Sequence, residues 1–99
     1  MNTRTAEPGL VNFPNPSRSY DDERHGIHFW GYDQALEISY FIEAQALTKV
    51  SPDLQPDEAG FLGVFDAHYE QICAAADKRY TRQSKAPYIF AYTLTAADF

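Results

Sequence analysis

The stretch His25-Gly26-Ile27-His28-Phe29-Trp30-Gly31-Tyr32-Asp33-Gln34-Ala35-Leu36-Glu37-Ile38-Ser39-Tyr40-Phe41-Ile42-Glu43 decides the fold. Ile27 and Phe29 alternate with His28 and Trp30. After a short polar break, Leu36, Ile38, Tyr40 and Ile42 alternate with Glu37, Ser39 and Phe41. Period two on both sides of a break predicts a β-hairpin over 26–43. Tyr32-Asp33-Gln34-Ala35 serves as the loop, with Gly31 available for a bulge. Pairing Gly31 with Leu36 sets Phe29 opposite Ile38 and Ile27 opposite Tyr40. The strongly apolar residues then share one face, as a half-buried antiparallel pair requires.

Outward from the hairpin, Ala44–Val50 reads as a short helix (44–50), and Ser51-Pro52 and Gln55-Pro56 interrupt the chain. From Asp57 to Arg82, Phe61, Phe65, Tyr69, Ile72 and Ala76 keep helical spacing, while Asp66, Glu70 and Asp77 fall on the other side. This predicts one long helix, 57–82, although Gly60 and Gly63 each cost about 1 kcal/mol against alanine there. Tyr88, Phe90, Tyr92 and Leu94 alternate with Ile89, Ala91 and Thr93, predicting a strand over 88–95. Before the hairpin, Pro8, Pro14 and Pro16 stand among polar residues. Leu10, Val11 and Phe13 could add a short N-terminal strand. The expected architecture is an α+β domain, 12–99, behind a tail, 1–11. Its small antiparallel sheet of three to four strands packs against the long helix and the short one.

The 99 residues fit one domain. Fifteen per cent are aromatic, which concentrates apolar area in few side chains. The lone cysteine, Cys73, has no internal disulfide partner and suits a reducing, cytoplasmic setting. Neither a signal peptide nor an apolar run of membrane-spanning length is expected. The net charge of −6 disfavours nonspecific binding to nucleic acid and anionic membranes. The charge is unevenly spread: Lys78, Arg79, Arg82 and Lys85 follow one another with no acidic residue between them.

Five ordered stretches resemble the bacterial domain-of-unknown-function 1488 family. They are Phe13-Pro14-Asn15-Pro16-Ser17-Arg18-Ser19-Tyr20-Asp21, Ile27 to Asp33, Glu43-Ala44-Gln45-Ala46-Leu47, Glu58-Ala59-Gly60-Phe61 with Phe65-Asp66-Ala67, and Tyr92 to Phe99. Together they span Phe13 to Phe99. The resemblance implies a compact bacterial α+β domain. It implies no activity, and no functional residue carries over from it.

Residues able to do chemistry are few. His25 and His28 are three apart on a strand and so point to opposite faces, which is poor geometry for one metal ion. His68 and Cys73 are five apart on the predicted helix and equally misaligned. Asp66 and Glu70 share a helix face, which is ordinarily a solvated one. Cys73, among Ile72, Ala74, Ala75 and Ala76, reads as a packed thiol rather than a nucleophile. No catalytic residue, cofactor or metal site is therefore expected. The basic cluster of Lys78, Arg79, Arg82 and Lys85 suits the negative end of the long helix, or else an anion patch.

The hairpin register leaves His28, Trp30 and Phe41 on the second face. In the open, they would form an aromatic patch of the kind monomers avoid. The N-terminal segment, with Phe13 and Tyr20, could cover it, or a second copy could. The leading expectation is a non-enzymatic interaction or accessory domain that forms a homodimer or binds a protein partner. The alternative is a single-stranded nucleic-acid binder, stacking bases on Trp30 and Phe41 with the basic cluster along the backbone. A small enzyme with a site between subunits ranks third.

Overall fold

The computed structural model describes residues 11–14, 17–83 and 92–99. It is an α+β fold with a four-stranded sheet: β1 (Arg18–Asp21), β2 (Gly26–Asp33), β3 (Leu36–Glu43) and β4 (Tyr92–Leu94), in that spatial order. Three helices, α1 (Ala44–Val50), α2 (Glu58–Ala67) and α3 (Tyr69–Gln83), lie between β3 and β4 in the chain. A 3-10 turn, Ala96–Asp98, follows β4.

The predicted hairpin forms, but its register differs by two residues. Asp33 pairs with Leu36, Gly31 with Ile38, Phe29 with Tyr40 and Ile27 with Ile42. The loop shrinks to Gln34 and Ala35 because Gln34 adopts a left-handed conformation, φ 59°, which permits a tighter turn. Side chains alternate with period two, so this shift leaves every residue on its expected face. Ile27, Phe29, Ile38, Tyr40 and Ile42 are all buried on one side.

β1 and β2 are antiparallel, as are β2 and β3, but β4 runs parallel to β3, pairing Tyr40 with Tyr92 and Ile42 with Leu94. The sheet is mixed rather than wholly antiparallel. The chain leaves the end of β3, passes through three helices and re-enters alongside, a long crossover of the kind that parallel neighbours need. Residues 88–91 of the expected strand lie outside the described residues. The N-terminal strand exists, but as Arg18–Asp21; further upstream, Asn12 makes only an isolated bridge with Tyr32.

The expected long helix is two helices meeting at His68 (φ −115°, ψ 27°). Unbroken, 57–82 would extend about 39 Å, well past strands of eight residues, about 26 Å long. Breaking at His68 lets each half follow a different part of the sheet. In α2, Phe61 stacks on Tyr20 of β1 and Phe65 meets Phe29 of β2 edge-on. In α3, Tyr80 meets Tyr92 of β4, and Arg79 pairs with Asp98 beyond it at 2.8 Å. Asp57 caps α2, accepting from Gly60 N at 2.8 Å.

One core results. Ala46 and Leu47 from α1, Phe61, Val64 and Phe65 from α2, and Ile72, Ala76 and Tyr80 from α3 all join the buried face of the sheet. Val11 completes it. Among the described residues, every helix buries its apolar side chains here, so the opposite face of the sheet carries no helix.

Candidate interaction surface

The period-two alternation sends His28, Trp30 and Tyr32 of β2, with Glu37, Ser39 and Phe41 of β3, to the helix-free face. The pairing fixes three levels along it: His28 beside Phe41, Trp30 beside Ser39, and Tyr32 beside Glu37. Ser19 and Thr93 extend the first level onto the outer strands. The structure therefore brings His28, Trp30 and Phe41 together, as the sequence predicts.

Their exposure differs from the expectation. Trp30 and His28 are half-buried, but Phe41 is only 3% exposed, although it stands apart from the main core. Among the described residues, its cover comes from its own neighbourhood. The Phe41 ring lies against the backbone of Gly26, where a Cβ would stand 2.3 Å from it. The Arg24 guanidinium sits 4.4 Å above the ring centroid and the His28 ring 4.9 Å to one side. Phe13 and Tyr20, the residues expected to cover this face, point the other way. Phe13 packs on Phe29, Tyr40 and Tyr69, and Tyr20 stacks on Phe61.

Asp21 holds this cover in place. Its Oδ1 accepts from the backbone N–H groups of Glu23 and Arg24, and its Oδ2 accepts from His28 Nε2 at 2.9 Å. These bonds, led by the one from His28, hold the Asp21 carboxyl below its ordinary range. In the same turn, His25 takes a left-handed φ of 57°, and its carbonyl accepts from Ala44 N at the start of α1. Nothing in the sequence pattern singles out Arg24 or Asp21, because their roles arise from the turn that brings them back over β3.

The other sequence candidates separate. Asp66 is held by Arg18 through two hydrogen bonds of 2.9 and 2.8 Å, while Glu70 is exposed on the next helix. A shallow cleft of about 490 Å³ runs along the α2–α3 junction from Asp66 to Gln71. A second, of about 280 Å³, lies between Arg24, His25, Glu43, Ala44 and Gln45. Among the described residues, no three His, Cys, Asp or Glu side chains cluster as a metal site would need. Cys73 is half-buried against Tyr69. Burial pushes its thiol up to about 11, and burial with the adjacent thiol pushes Tyr69 up to about 12. Of the basic cluster, Lys78 is exposed and Arg79 is engaged by Asp98; Arg82 lies on α3, and Lys85 falls outside the described residues.

The model of the family described as "Protein of unknown function (DUF1488)" matches residues 11–90. The chain belongs to the DUF1488 family. A crystal structure of a DUF1488 protein of unknown function from Shewanella loihica PV-4 is similar, with a TM-score of 0.71 at 16% identity. The match covers 91% of this chain and 94% of that one, and at this identity the likeness is one of fold. No curated protein matches. Among the described residues of this DUF1488 domain, no helix is long and apolar enough to cross a membrane.

Proposed function

We propose that this DUF1488 domain is a non-enzymatic interaction module that self-associates through the helix-free face of its sheet. The supporting observation is Trp30, half-buried at the middle level of a four-stranded face whose helices all pack on the other side. A large amphipathic ring so placed gains apolar contact from a facing surface and can direct its N–H to a partner there. A second copy of the chain is the simplest occupant, because a two-fold contact needs only one self-complementary patch. The single cysteine suits a reducing, cytoplasmic setting.

The nucleic-acid alternative draws less support. Phe41 lies beneath Arg24, Arg79 is engaged by Asp98, and the net charge is −6. Light scattering of the purified protein across a concentration series tests the main reading. A dimer that Trp30→Ala weakens is the expected result. A monomer at every concentration, unchanged by the substitution, would overturn it. Titration with a mixed-sequence oligonucleotide at low salt should leave Trp30 fluorescence unaltered.

A further inference from the structure

We draw no further inference here: the strongest candidate, the helix-free sheet face around Trp30, belongs to the interaction surface already described, and nothing in the structure shows what covers it.

Discussion

Gly31 lies so close beneath the N-terminal segment that a Cβ on it would stand 2.5 Å from Val11 Cγ1 and 2.7 Å from the Phe13 ring. The close approach lets Asn12 exchange two backbone hydrogen bonds with Tyr32, at 2.7 and 2.8 Å, while Val11 N donates to Asp77 at 2.9 Å. Gly31→Ala should therefore lower stability by about 1–3 kcal/mol through overpacking. Urea denaturation measures it. Phe13→Ala removes part of the obstacle, so the double variant should lose less than the sum of the two single losses.

Gly60 and Gly63 occupy the same helix and should respond in opposite directions. A Cβ on Gly60 would stand 1.9 Å from the carbonyl oxygen of Gln55, which is backbone and yields only if the loop moves. A Cβ on Gly63 meets nothing within 4 Å. Gly63→Ala should gain about 0.5–1 kcal/mol from helix propensity, whereas Gly60→Ala should lose more than that gain. Thermal unfolding of the two variants separates the effects.

The β1–β2 turn should be sensitive to acid. Asp21 titrates below its ordinary range because of its bonds from His28 and the turn amides. A depressed carboxyl contributes stability above its unfolded pKa, and that contribution is lost as pH falls through the folded value. The expected outcome is an Asp21 titration midpoint below about 3.9 by NMR. The wild type should lose more stability than Asp21→Asn as the pH is lowered across that range. Equal acid sensitivity in the two proteins would remove Asp21 as the cause.

Cys73 should be a slow thiol. With its titration pushed up to about 11, very little thiolate exists at pH 8, against a substantial fraction for a free cysteine near 8.5. Alkylation of the folded protein at pH 8 should be more than tenfold slower than after unfolding in urea. Comparable rates in the two states would contradict the packed environment.

The hairpin's faces were legible because period-two alternation survives a register shift of two, even with the loop length misjudged. The turn was harder to read, since a left-handed Gln34 leaves no mark in composition. The apolar spacing of 57–82 is continuous through His68, so the sequence carries the stripe but not the break. That break answers to the length of the sheet. The direction of β4 was equally hidden, because alternation looks the same in parallel and antiparallel strands. At the surface, the sequence marked His28, Trp30 and Phe41 but not Arg24, Asp21 or Gly26, which decide how much of Phe41 water can reach. Those three act through contacts across the turn, beyond the reach of any local pattern.

The parallel return of β4 has a kinetic consequence. β1, β2 and β3 pair with near neighbours, whereas Tyr40 and Tyr92 meet across three intervening helices. Closing so large a loop costs entropy before its contacts repay it. The meander is thus the natural nucleus, and the docking of Leu94, completely buried, belongs on the native side of the barrier. Leu94→Ala should accelerate unfolding in a chevron and barely slow refolding, while Ile27→Val in the meander should slow refolding. The C-terminal strand then acts as the clasp that sets how long the domain stays shut.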